Sequence, residues 1–118
     1  MATVLIVDDS AFMRMRCVAT VKEEGHDTLE AADGNEAVEV YKQQQPNAVL
    51  LDITMPNMDG LEALRQIMAF DSKAKVAMVT AMGQQGMVME AMKAGARDFV
   101  VKPFEPDRVK ATLQKLLG

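Results

Sequence analysis

Val4-Leu5-Ile6-Val7-Asp8-Asp9-Ser10 is a short apolar run that stops on two carboxylates. The same pattern recurs along the chain. Ala48-Val49-Leu50-Leu51 stops on Asp52, Val76-Ala77-Met78-Val79 on Thr80, and Phe99-Val100-Val101 on Lys102-Pro103. Short β-rich runs of this kind, bounded by polar residues, read as buried strands of a parallel sheet. In an open α/β sheet, ligands bind outside the carboxyl ends of the strands. The four runs therefore deliver three carboxylates, a hydroxyl and an ammonium to one edge. That set suits a divalent cation and a phosphoryl group.

Size and composition are consistent with this. The chain has 118 residues, enough for one domain with an ordinary core. Charged residues make up 25% and apolar residues 49%, the balance of a soluble globular protein. A net charge of −4 argues against a nucleic-acid surface, which would carry a basic patch. No segment approaches the roughly 20 apolar residues of a membrane span. Met1-Ala2-Thr3-Val4 is expected to pass straight into a strand, with no secretory leader. Cys17 is the single cysteine and has no internal disulfide partner, which fits the cytoplasm, and the chain is expected to be a monomer. Of the eleven methionines, Met55, Met68 and Met78 read as core filler. Met82, Met87, Met89 and Met92 cluster around one helix and suit an adaptable binding surface.

Strand and helix signals alternate five times. Strands are expected over residues 3–7, 27–31, 48–51, 75–79 and 98–101, and helices over 11–24, 35–44, 61–69, 84–94 and from Pro106 onward. Ser10 is a plausible cap, and Gly25, Pro46 and Gly95 are stops. Val109, Leu113, Leu116 and Leu117 form the apolar stripe of the last helix. The predicted class is α/β: a flavodoxin-like (βα)5 doubly wound parallel sheet, strand order 2-1-3-4-5, with right-handed crossovers. Strands one and three then flank the switch point and carry Asp8, Asp9 and Asp52.

Three carboxylates in one cleft repel one another and raise at least one pKa unless a cation compensates. Mg2+ is the expected cation: it takes hard oxygen ligands and is usually held by one or two carboxylates plus a phosphate. Asp9 and Asp52 are first candidates as direct ligands, with Asp8 acting through water and the Thr54 backbone carbonyl completing the set. A carboxylate can also attack phosphorus and form an acyl phosphate. Phosphoryl transfer asks mainly for positioning and charge neutralisation, which the metal and Lys102 supply while the Thr80 hydroxyl donates a hydrogen bond.

Val7-Asp8-Asp9-Ser10, Asp52-Ile53-Thr54-Met55-Pro56-Asn57-Met58-Asp59-Gly60, Thr80-Ala81 and Lys102-Pro103-Phe104 occur in order, each at a strand end. Together they resemble a response-regulator receiver domain, specifically the stand-alone chemotaxis (CheY-like) kind, and the resemblance covers residues 1–118 as one domain. It implies that Asp52 is the phosphorylated aspartate and that Asp8 and Asp9 are the magnesium-binding pair. It implies that Thr80 is the hydroxyl that moves toward the phosphoryl group, that Lys102 is the family's lysine, and that Lys102–Pro103 is a cis peptide. Phe99 falls at the switching aromatic, where many chemotaxis members carry tyrosine. The implied partners are a sensor histidine kinase (CheA-like) as phosphodonor, a flagellar motor switch protein (FliM-like) as target, and a phosphatase. The implied output surface is helix four, strand five and helix five, here Val88, Met92, Phe99 and Arg108.

Other readings stay open from the residues alone. The chain can be a phosphorelay intermediate or the receiver of a larger regulator. A haloacid-dehalogenase-type phosphatase needs an aspartate two residues after its nucleophile, where this chain has Thr54. A flavin module needs a Ser/Thr/Gly-rich phosphate loop, where Asp8-Asp9 would repel the flavin phosphate. Self-catalysed phosphotransfer and hydrolysis do not make the chain an enzyme with an independent substrate. Asp59 reads as a turn residue, His26 as an exposed bystander, Cys17 as a small packing residue, Glu62 and Glu90 as solvated, and the Lys/Arg residues of helix five as a solvated face.

Overall fold

A computed structural model describes residues 2–118. Met1, and with it the expected run of the chain's first residue into a strand, lies outside the described residues. The elements are β1 (Thr3–Val7), α1 (Ala11–Glu23), β2 (Asp27–Ala31), α2 (Gly34–Gln44), β3 (Ala48–Asp52), α3 (Gly60–Phe70), β4 (Val76–Thr80), α4 (Gln85–Ala94), β5 (Asp98–Val101) and α5 (Pro106–Leu117). The strands form one parallel sheet in the order β2-β1-β3-β4-β5, as the sequence predicts. Two strands end one residue later than expected. Asp52 stays in the ladder opposite Val79, and Thr80 opposite Val101, because the Ile53 and Lys102 amides still reach across to Val79 and Thr80 carbonyls at 3.0 and 2.7 Å.

Alternation along the strands splits the core into two layers. Leu5, Val7, Val49, Leu51 and Met78 pack with α2, α3 and α4. Val4, Ile6, Leu50, Ala77 and Val79 pack with Cys17 and Val21 of α1 and Val109, Leu113 and Leu116 of α5. Every residue of β3 and β4 is buried, which explains their unbroken apolar runs. Met55 and Met78 are buried and Met68 is half-buried against the same core. The Cys17 thiol is buried and pushed up to about 12, chiefly by desolvation, so it packs as a small apolar group. No helix among the described residues is long and apolar enough to cross a membrane.

Side chains outside the core do more than the sequence suggests. Ser10, Asp33 and Asp59 each accept a bond from the amide three residues on, capping α1, α2 and α3. Asp59 is thus a helix cap rather than a mere turn residue. His26 is half-buried, and its Nδ1 accepts from the Ala2 amide at 3.2 Å, fixing the chain's approach to β1. The basic residues of α5 are solvated in part as expected, with Arg108 and Lys115 exposed and Lys110 half-buried, but Arg108 also has a buried partner. Asp98 is buried at the start of β5, where it accepts from the Thr112 hydroxyl at 2.7 Å and from both Arg108 terminal nitrogens at 3.2 and 3.3 Å. Burial pushes the Asp98 carboxyl up. The Thr112 hydroxyl, the Phe99 amide and Arg108 outweigh it and hold the group below its ordinary value.

Gly60 fixes the loop that leaves β3. Its amide donates to the Ile53 carbonyl at 2.6 Å, and a Cβ there would sit 1.9 Å from the Asp52 carbonyl oxygen. The obstacle is backbone, which cannot swing aside as a side chain can. Gly60→Ala is expected to cost about 2–3 kcal/mol of stability by overpacking. Chemical denaturation of the two proteins checks this.

Candidate phosphoryl and metal site

The site is built from the carboxyl ends of β1, β3, β4 and β5, because parallel strands in register end together. Asp8 and Asp52 are buried at 5% and 4% exposure, while Asp9 is exposed. One oxygen from each of the three carboxylates lies within 4.8 Å of the others. Lys102 reaches in from the far edge. Its Nζ stands 2.9 Å from Asp8 Oδ2 and 3.1 Å from Asp52 Oδ2. Asp8 is further fixed by the Ser10 amide, which donates to its Oδ1 at 2.9 Å. The Lys102–Pro103 peptide bond is cis.

The electrostatics follow from burial and crowding. Desolvation is the largest influence on Asp52. Lys102 opposes it, but the Asp8 and Asp9 charges add to it, and the carboxyl is pushed up to about 6. Burial works against the Lys102 ammonium, yet the contacts with Asp8 and Asp52 outweigh it and raise its pKa. The lysine is therefore held charged between the two buried carboxylates. Three hard oxygen ligands this close, with a residual negative balance, are the donor set that a small divalent cation needs.

Thr80 and Phe99 occupy defined positions. The Thr80 hydroxyl is bonded to Gln84 Oε1 at 2.6 Å and to the Ala81 carbonyl at 3.1 Å. Phe99 is 37% exposed and lines a groove of about 720 Å3 with Val88, Met89, Met92 and Val101. Met82, Met89 and Met92 are exposed around this groove, whereas Met87 packs against the core. Val88 is buried and forms part of the groove wall. Arg108 stands outside the groove. It donates to the Phe99 carbonyl, bracing the backbone under the ring.

Three contributions escape sequence reasoning, one of them from Arg108, which the sequence places only on the output surface. Arg14 donates to the Asp8 carbonyl at 2.6 Å and pairs with Glu30 at 2.9 Å, tying α1 to the acidic loop. Arg108 holds β5 as described above. Gln84, just ahead of α4, bonds both Thr80 and Thr54. Each is a polar residue at a helix start, where sequence gives no sign of a partner.

The response regulator receiver domain matches residues 4–114, and the chain belongs to that family. Chemotaxis protein CheY of Listeria monocytogenes is 56% identical over 116 residues, covering 98% of each chain. The CheX-CheY-BeF3-Mg+2 complex from Borrelia burgdorferi contains a chain that superimposes with a TM-score of 0.93 at 39% identity, over 98% of this chain and 89% of that one. NtrX from Brucella abortus matches with a TM-score of 0.93 at 31% identity, over 98% of this chain, which spans only 26% of that longer one.

Proposed function

We propose that this chain is the phosphorylation-switched messenger of a chemotaxis pathway, with Asp52 as phosphoryl acceptor. The observation that carries the reading is a buried Asp52 carboxylate, held 3.1 Å from Lys102 inside an acidic cluster at the sheet's switch point. A structural ion pair would need one carboxylate for one lysine. Three clustered carboxylates, two of them sharing a single ammonium, leave the site underpaired and ready for a further cation.

The chemistry follows from these groups. An Asp52 oxygen attacks the phosphorus of a phosphohistidine on a partner kinase. A P–O bond forms, the P–N bond breaks, and its electron pair leaves with the imidazole. Lys102 offsets charge on the phosphoryl oxygens, and the Thr80 hydroxyl donates to one of them. Asp8, Asp9, Asp52 and the Thr54 carbonyl would hold Mg2+, which when bound neutralises charge on the transferring group. Water later cleaves the acyl phosphate, so the signal limits itself and no independent substrate is turned over.

Phosphorylation draws Thr80 toward Asp52 and leaves room for Phe99 to turn inward, biasing the surface around α4, β5 and α5. The groove bordered by Met82, Met89, Met92 and Phe99 then serves as the readout face. The partner classes are a CheA-like sensor kinase, a FliM-like motor switch protein and a signal-terminating phosphatase. The Borrelia complex adds a CheX-like protein as a candidate partner. A cytoplasmic, monomeric single domain of residues 1–118 fits these roles. The NtrX match keeps a second reading in view, in which such a receiver forms part of a longer regulator.

Intact mass after incubation with magnesium and acetyl phosphate tests the proposal. The parent is expected to gain one phosphoryl group. Asp52→Asn, or parent protein treated with EDTA, is expected to gain none. Equal labelling of parent and Asp52→Asn would refute the assignment.

A further inference from the structure

Gln84 occupies the N-cap position of α4, yet its side chain makes no capping bond to the helix. The amide reaches back across the carboxyl edge of the sheet instead. Its Oε1 accepts from the Thr80 hydroxyl at 2.6 Å and from the Ala81 amide at 2.9 Å. Its Nε2 donates to the Thr54 hydroxyl at 2.7 Å. One side chain therefore joins the loop after β3, the end of β4 and the start of α4.

A hydroxyl has one proton to donate. When Thr80 gives that proton to Gln84, it has none for a phosphoryl oxygen on Asp52. The Gln84 carbonyl at 2.6 Å, and more weakly the Ala81 carbonyl at 3.1 Å, thus compete with the phosphoryl group for the same donor. A ligand shifts such an equilibrium only by its differential affinity for the two arrangements, so a contact made in one arrangement alone weakens apparent binding to the other.

We infer that Gln84 is a positioning residue: it holds Thr80 away from Asp52 until a phosphoryl group outcompetes it, and so sets how readily the protein enters its phosphorylated arrangement. The inference rests on the reading of Asp52 as the phosphoryl acceptor. The phosphoryl group must recruit Thr80 against this hydrogen bond, whose loss changes the equilibrium by roughly two- to ten-fold.

Beryllium fluoride with magnesium is the equilibrium probe, because it mimics a phosphoryl group on a carboxylate without being hydrolysed. Fluorine NMR titrations would compare the parent, Gln84→Met, Thr80→Ala and the double variant, with Asp52→Asn as control. Gln84→Met keeps side-chain length and helix preference but removes the amide bonds, and Gln84→Ala repeats the test with a smaller group. Both are expected to bind the probe roughly two- to ten-fold more tightly than the parent. In the Thr80→Ala background the same substitutions are expected to change nothing, since the effect acts through the Thr80 hydroxyl. Unchanged or weaker binding by the Gln84 variants would overturn the inference. So would an equal gain with and without Thr80, which would mean that Gln84 acts through the start of α4. If parent and Asp52→Asn bind the probe alike, the Asp52 reading fails and takes the inference with it. If only the Gln84 variants miss expectation, the Asp52 reading stands.

Discussion

Asp52→Asn is expected to stabilise the magnesium-free protein while ending its chemistry. The Asp52 carboxyl is pushed from an ordinary 3.8 up to about 6, so the folded state binds this proton more tightly than the unfolded state does. Its contribution to stability is complete below about pH 4, falls as the pH rises toward 6, and is absent at neutral pH. At pH 7 the buried charge therefore costs about 2–3 kcal/mol, from the linkage of pKa to free energy. An amide of the same shape removes that cost. Urea unfolding at neutral pH in EDTA should show the variant more stable by roughly this amount, with the gap closing near pH 4. Magnesium should narrow the gap as well, by stabilising the parent through the acidic cluster. The site is held at the expense of stability, as is common where function needs crowded charge.

Lys102→Met is expected to act in the opposite direction. Lys102 is the one cation within 4 Å of Asp8 and Asp52 among the described residues, at 2.9 and 3.1 Å. Both carboxylates are buried, and removing one partner of a buried pair typically costs 3–5 kcal/mol, because the other charge is left uncompensated. Protonation of Asp52 relieves part of this, so a loss of about 2–3 kcal/mol at pH 7 is expected. Magnesium should restore much of the stability, since it neutralises the same oxygens. It should not restore labelling by acetyl phosphate, because the ammonium that offsets charge on the phosphoryl group is still missing. Recovery of both by magnesium would show that Lys102 serves only as a structural counter-ion. Thermal melts with and without magnesium, paired with intact mass, separate the two outcomes.

Much of this arrangement was legible in the sequence because the central strands leave little choice. Val4–Val7, Ala48–Leu51 and Val76–Val79 are buried on both faces, so their sequences are continuous apolar runs and their polar ends stand out. β2 lies at the sheet edge with Thr28 and Leu29 only half-buried, and its position follows from the alternation of elements more than from its own residues. β3 and β4 each run one residue past the end that the sequence suggests, since Asp52 and Thr80 look like terminators but still pair in the ladder. Arg108 and Gln84 were opaque for a different reason. A polar side chain beside a helix start reads as solvated until the fold brings Asp98, or Thr80 and Thr54, to meet it.

Borohydride trapping after magnesium and acetyl phosphate treatment, followed by peptide mapping, tests Asp52 as the phosphoryl acceptor most directly. Borohydride reduces an aspartyl phosphate to homoserine and leaves a free carboxylate untouched. Homoserine is expected at position 52 alone, and only when magnesium is present. Reduction at Asp8 or Asp9, or an unreduced Asp52 in protein that has gained a phosphoryl group, would contradict the assignment.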